Sequence, residues 1–236
     1  MGQAGDVRAP AKLTLSLRVT GVRDDGYHLI DAEMVALDLA DELEFADGDG
    51  LEIVGGAGLP VVADDDNLVR RALRAVGRTA HVTLTKRIPA GGGLGGGSAD
   101  AAAVLRWAGC DDLSIATSLG ADVPFCLRGG RARVSGIGDL LEPLPPRDAT
   151  FTLLTPPFGV STVAVYREWD RMGGPRSDGP NDLEPAALAV EPRLAEWRDR
   201  LGDATGVTPV LAGSGSTWFV EGAVPGEDRV VTRTVA

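Results

Sequence analysis

The sequence is poor in lysine, histidine, cysteine and aromatic residues, and each shortage excludes something. Lys12 and Lys86 are its two lysines, so 21 of the 23 basic residues (23 minus 2) are arginine. Acidic residues number 34 and the formal charge is −11, which argues against general nucleic-acid binding, since that relies on cations displacing counterions. A small phosphorylated ligand is not excluded, because backbone N–H groups and a metal ion can hold one. The two cysteines, Cys110 and Cys126, have no metal-ligand spacing and read as reduced thiols of a cytoplasmic protein. Aromatics make up 5% against 44% hydrophobic residues overall, so the core must be mainly Val, Leu, Ile and Ala. No apolar run reaches the ~18–20 residues needed to span a bilayer. The first residues, "MGQAGDVRAPAK", lack the apolar stretch of a signal peptide, and Asp6 breaks the myristoylation pattern. No repeat and no low-complexity tail is apparent.

The arginine default makes the two lysines informative. Each marks a place where a compact ammonium matters and a planar guanidinium would not substitute. The two histidines, His28 and His81, differ in context: His28 follows a tyrosine in a turn, whereas His81 has no motif around it and reads as structural.

What is present is a mixture of strand and helix patterns. "AKLTLSLRVTG" (11–21) alternates, with Leu13, Leu15, Leu17 and Val19 on one side of a half-buried strand. After a turn at Asp24-Asp25-Gly26, strand-like segments continue through "HLIDAEMVALDLADELEF". "GLEIVG" and "LPVVA" read as short strands, and "DDDNLVRRALRAVGR" (64–78) as a capped helix with a Leu68, Ala72, Leu73, Val76 stripe. "AHVTLTKRIP" is a strand running into Pro89. "SADAAAVLRWAG" and "LSIATSLG" are helical, and "ADVPFCLRGGRARVSGIGDLLEPL" returns to strands and turns. Beyond a proline-rich boundary at 143–150 come a strand, "FTLLTPP", a helix around 161–172, a helical pair broken at Pro192, a strand–glycine turn–strand unit and a closing strand. This order predicts an α+β fold.

The stretch "PAGGGLGGGSADAA" (89–102) has six glycines in the seven positions 91–97. It lies between a predicted strand and a predicted helix. That is the arrangement of a phosphate site, because a helix N-terminus offers unpaired N–H groups and about half a positive charge. Gly91-x-Gly93-x-x-Gly96 satisfies the dinucleotide pattern, but so glycine-rich a run matches by chance and no second βαβ half is apparent. No lysine precedes Ser98 as a Walker A loop requires, and the Val-Ala-Ile-Lys of protein kinases is absent.

The loop resembles the central phosphate loop of the GHMP kinases. "APAKLTLSL", "DDGYHLID", "DDDNLVRRA", "TKRIPAGGGLGGGSADAA", "SLGADVPFCLRGG", "GIGDLLEPL" and "LAGSGSTWFV" occur in the order seen in the branch of that family acting on 4-diphosphocytidyl-2-C-methyl-D-erythritol. The resemblance covers nearly the whole chain. It implies a two-domain GHMP kinase fold, with a ribosomal S5 domain 2-like N-terminal domain (1–148) and a ferredoxin-like C-terminal domain (149–236). It also implies ATP-dependent phosphorylation of the substrate's 2-hydroxyl, with Mg2+ on the phosphates. Asp122 resembles the catalytic aspartate and Lys12 the lysine paired with it. Pro89, Ala90, Gly91, Gly92, Gly93, Leu94, Gly95, Gly96, Gly97 and Ser98 would wrap the triphosphate, with Ser98 as a magnesium ligand. Asn67 and Lys86 resemble residues near the adenosine, although Lys86 could equally support the loop from its strand. Tyr27, His28 and Tyr166 resemble the cytidine site, and Gly213 and Ser214 lie in the turn that braces the phosphate loop. The partner implied is the small-molecule substrate, with no nucleic acid and no membrane, for a cytoplasmic monomer or homodimer.

Three positions depart from the family pattern. Thr14 stands where asparagine is usual, beside Lys12. Asp100 places a carboxylate near the phosphates, tolerable if it points away or meets magnesium. The segment 107–113 is short, which predicts a shorter helix before Asp122 and a shift of that residue. Another small-molecule GHMP kinase, or a non-catalytic nucleotide-binding relative, are the alternatives these departures leave open.

Overall fold

The computed structural model describes residues 6–56 and 58–236; the reading of residues 1–5 lies outside it. Two long antiparallel strands form the spine, β1 (Asp6–Val22) and β2 (His28–Ala46). Their hairpin turn is set by Gly26 at φ +84°, and the Asp25 carboxylate accepts the Tyr27 N–H. β1 shifts register between Pro10 and Lys12 and again between Thr14 and Ser16. Such bulges re-aim side chains. Here Ala11, Lys12, Leu13 and Thr14 are all buried, whereas Leu15 is only partly so. The strand is therefore not half-buried as its alternation predicts. One face meets the hydrophobic core, and the glycine loop covers the other at Lys12.

β3 (Gly50–Gly55) runs parallel to β4 (His81–Lys86), and β4 pairs antiparallel with the far end of β2. β5 (Arg131–Gly136) lies against the near end of β2 and carries β6 (Leu140–Pro143). In the second half, β7 (Thr150–Leu154) pairs with β9 (Trp218–Glu221), which pairs with β8 (Val210–Leu211). The last strand, β10 (Val230–Val235), runs beside β7 and then reaches β2 through Val235 opposite Ala36. The C-terminal residues thereby join the strands of both halves.

The helices are α1 (Leu68–Ala75), α2 (Gly96–Trp107), α3 (Leu113–Leu119), α4 (Val123–Arg128), α5 (Thr162–Arg171), α6 (Glu184–Val190) and α7 (Leu194–Thr205). α2 is central. Its residues Ala99 to Leu105 are all buried, and its run of alanines lets β1, α1 and α4 approach closely on several sides. A helix buried on most of its surface cannot be amphipathic. The core is aliphatic as predicted, with Trp218, Phe125 and Phe151 as its largest fully buried members.

Two predicted elements fold differently. "LPVVA" (59–63) is irregular rather than a strand. Pro60 lacks an N–H, and the segment's pairing goes instead to the glycine loop: the Leu59 N–H donates to the Ala90 carbonyl. "VPFCLR" is the helix α4 rather than strand and turn, since Pro124 sits in its first turn and Gly129 closes it at φ +71°. Among the described residues no helix is long and apolar enough to cross a membrane.

Candidate active site

β4 delivers the chain through Pro89 into the glycine loop, and α2 begins at Gly96. Gly93 and Gly95 show why glycine is needed. Both lie in the left-handed region, at φ +76° and +69°. A Cβ on Gly93 would come within 2.5 Å of the Gly215 carbonyl, and one on Gly95 within 2.7 Å of Lys12 Cγ. The loop is tied down on both sides. The Leu94 side chain is buried while its carbonyl accepts the Lys12 N–H, and the Gly92 carbonyl accepts the Thr217 N–H. α2 has no side-chain cap. The N–H groups of Gly96, Gly97 and Ser98 have no partner within the helix, which leaves a positive helix end directed out of the loop. The shape and donor set of this cradle fit a polyphosphate.

Lys12 and Asp122 meet beside the loop. The Lys12 ammonium lies 3.4 Å from Asp122 Oδ2 and donates to Thr14 Oγ1 at 3.2 Å. Thr14 therefore accepts from the lysine with a hydroxyl where the family uses an amide. Asp122 occupies the N-cap position of α4 but makes no capping hydrogen bond, and its side chain is 33% exposed. The helix before Asp122, α3, spans seven residues, and Asp122 stands 3.4 Å from Lys12.

Both residues line a cleft of about 790 Å³, together with Tyr27, His28, Gly91, Gly93, Gly95 to Ser98, Tyr166, Gly213 and Ser214. At one end the His28 ring packs on Tyr166 at 4.5 Å and meets Trp169 edge-on at 5.7 Å. His28 Nε2 shares a 2.8 Å hydrogen bond with Asp170 Oδ1. Burial, with the Asp122 charge adding to it, pushes the Tyr166 hydroxyl above its ordinary pKa. Tyr27 is 60% exposed at the mouth. At the other end the turn 213–216 is held by Asn181, whose Nδ2 donates to the carbonyls of Leu211 and Gly213, and Ser214 shares a hydrogen bond with Thr162.

Lys86 is placed differently. Its ammonium donates to Asp41 at 2.5 Å and to Asp100 at 2.8 Å, and all three side chains are buried. Asp41 also accepts the N–H groups of Arg87 and Ile88, the residues entering the loop. Burial pulls the Lys86 pKa down, but the two carboxylates outweigh it and hold it above the ordinary value. Burial pushes Asp100 up to about 7, against the pull of Lys86 and with the Asp41 charge adding to the rise. Asp100 thus points away from the phosphate cradle, and these contacts are those of a loop support. Asn67 caps α1 by accepting the Val69 N–H. Asn67 and Lys86 both border a smaller cavity, of about 220 Å³, on the other side of the loop. Among the described residues no group of three or more His, Cys, Asp or Glu side chains forms a metal site.

Asp170, Asn181 and Asp41 were not visible as site residues in the sequence. Asp170 had a signal, since it stands four residues after Tyr166 on one helix face. Asp41 had none, lying in an acidic strand that reads as solvent-facing.

Residues 67–130, which span α1 to α4 and the glycine loop, match the GHMP kinases N terminal domain. The 4-diphosphocytidyl-2-C-methyl-D-erythritol kinases of Paracoccus denitrificans and Ruegeria pomeroyi are each 40% identical to the chain. Those matches cover 89% of the chain and 84% and 86% of the two relatives. A crystal structure of 4-(cytidine 5'-diphospho)-2C-methyl-D-erythritol kinase superposes with a TM-score of 0.72 at 34% identity, covering 91% of this chain and 89% of that one. The mevalonate kinase of Methanococcus jannaschii, at 11% identity and a TM-score of 0.60, shares the fold. The cradle, the Lys12–Asp122 pair and these likenesses agree: the chain belongs to the 4-diphosphocytidyl-2-C-methyl-D-erythritol kinase family of GHMP kinases.

Proposed function

We propose that the chain transfers the γ-phosphoryl group of ATP to the 2-hydroxyl of 4-diphosphocytidyl-2-C-methyl-D-erythritol. The observation that carries this reading is the Lys12–Asp122 pair, 3.4 Å apart, sharing one cleft with the helix N-terminus and the His28–Tyr166 cluster. Phosphoryl transfer needs positioning, charge neutralisation and a place for one proton. Asp122 accepts the proton of the attacking hydroxyl, which a partly hydrated carboxylate does readily. Lys12, 3.4 Å from Asp122, orients that carboxylate and stabilises charge on the transferring oxygens. The amides of the first turn of α2 hold the phosphates. The loop residues Pro89 to Gly97 shape the cradle, and Asn67 and Lys86 border the cavity on the nucleotide's side, Lys86 acting through the loop.

Magnesium, when bound, screens the phosphate charge. Ser98 offers a hydroxyl for it, and Asp100, turned toward Lys86, does not contribute. A site with one hydroxyl suits an ion that keeps most of its waters and takes phosphate oxygens. Tyr27 and Tyr166 hold the cytosine between their rings, and His28 reads its edge. Gly213 and Ser214 border the sugar-alcohol end. We place the reaction in the cytoplasm, in a monomer or homodimer whose halves divide at 148/149.

The test is ADP release from ATP and magnesium, with 4-diphosphocytidyl-2-C-methyl-D-erythritol and, separately, with mevalonate, homoserine and galactose. Turnover with the cytidylyl substrate alone is expected. Turnover with another acceptor would make this a different small-molecule kinase. ATP binding with no turnover on any of them would make it a non-catalytic relative.

A further inference from the structure

The proposed substrate carries a base at one end, the reacting hydroxyl at the other and a diphosphate between. The base end belongs to Tyr27, His28 and Tyr166, the hydroxyl end to Lys12 and Asp122. The stretch joining them must accept negative charge. Of the charged residues lining the cleft, Lys12 is paired with Asp122 and Asp170 with His28. Arg167 also lines it, and its side chain makes no hydrogen bond or ion pair with any described residue.

Its position on α5 is telling. Val163, Tyr166, Arg167 and Asp170 recur at i, i+3, i+4 and i+7, and all four line the cleft. The start of this helix touches the hydroxyl end, since Thr162 bonds Ser214 at 2.8 Å and a Cβ on the adjacent Gly213 would lie 3.7 Å from Lys12 Nζ. Its last turn reaches the base end through Asp170 and His28. Arg167 thus projects from the element that spans both ends. A guanidinium fork matches phosphate oxygens in pairs, as a point charge does not. We propose that Arg167 binds the diphosphate of the substrate and so selects a nucleoside diphosphate ester over the free alcohol. This rests on the substrate reading above.

Calorimetry of CDP and cytidine binding to the wild type, Arg167→Gln and Arg167→Lys tests it, alongside KM values. The wild type should bind CDP more tightly than cytidine. Arg167→Gln should weaken CDP by about tenfold to a hundredfold, as expected for a lost charge-assisted hydrogen bond, and leave cytidine unchanged. KM for the cytidylyl substrate should rise by the same factor while KM for ATP holds. Arg167→Lys should recover part of the loss, and added salt should weaken CDP binding more in the wild type than in Arg167→Gln. Unchanged CDP affinity in Arg167→Gln, or equal losses for CDP and cytidine, would overturn the role of Arg167 alone. A wild type that binds neither ligand would overturn the substrate reading with it.

Discussion

The two lysines stand on opposite sides of the same glycine loop and meet aspartates in opposite ways. Lys12 has one carboxylate partner, one-third exposed, and a threonine hydroxyl. Lys86 has two carboxylates, at 2.5 and 2.8 Å, with side-chain exposures of 4% or less throughout. At Lys12 the polar groups are incompletely satisfied from within the protein and open onto a cleft. At Lys86 the ammonium is enclosed, and a chain of contacts runs from β2 through Asp41 and Lys86 to Asp100 on α2. A carboxylate left partly in water can be uncoupled from its cation at modest cost, whereas a pair buried on both sides is costly to break. Both lysines are buried, so what separates the two pairs is the carboxylate: Asp122 is 33% exposed on the cleft, whereas Asp41 and Asp100 are enclosed.

The largest effect should come from breaking the open pair. Asp122→Asn should lower phosphoryl transfer by about 10²–10⁴-fold, the usual worth of a positioned acid–base group. ATP affinity, read by calorimetry, and the melting temperature should barely change. A variant that turns over at the wild-type rate would remove Asp122 from its role. Lys12→Met should likewise cost activity, and cost less stability than the loss of Lys86, because Asp122, 33% exposed, can take up water in place of the ammonium.

Breaking the enclosed pair should do the reverse. Lys86→Met leaves two buried carboxylates without a cation and should cost about 3–5 kcal/mol of stability. Denaturant unfolding of Lys86→Met and Lys12→Met side by side checks the contrast; equal losses would abolish it.

Adjacent glycines sharpen the comparison further. A Cβ on Gly95 meets Lys12 Cγ at 2.7 Å from a left-handed backbone, whereas one on Gly96 meets Lys86 Nζ and Ile88 at 3.2 Å without that strain. Gly95→Ala should cost about 1–3 kcal/mol and displace Lys12, lowering turnover. In Gly96→Ala the helix preference for alanine, about 1 kcal/mol, works against the tight contact, so its melting temperature should stay closer to wild type.

A further effect is pH-dependent. Because the Asp100 pKa is raised from 3.8 to about 7 in the folded protein, its protonated form favours folding. That contribution is complete below the unfolded value and is lost as pH rises through the folded one. Asp100→Asn cannot ionise, so its stability relative to wild type should climb between those pH values. Parallel pH profiles in urea would show that Asp100 does not titrate there.

The local signals survived well because they are local. Glycine spacing, a capping asparagine at Asn67, and alternating or helical apolar patterns are read within a few residues, and most elements formed where these patterns predict. "LPVVA" failed because its partner was the glycine loop, about thirty residues on, and Pro60 could not join a sheet. Lys12 and Lys86 were conspicuous as lysines, and the "LGADVPF" motif pointed to Asp122. Nothing in the order of residues showed that Lys12 would meet a partly exposed carboxylate and Lys86 two buried ones, since those partners are distant in the chain.

The sequence by itself determined the α+β class, the glycine loop between a strand and a helix, and which positions near it carry an ammonium or a carboxylate, because backbone freedom and side-chain chemistry are properties of single positions. Only the tertiary structure decided that Asp100 faces Lys86, that His28 leans on Asp170 and Tyr166, and that Arg167 lines the cleft without a partner among the described residues. Those outcomes depend on which surfaces are buried together, and burial sets the strength of every charge in the site.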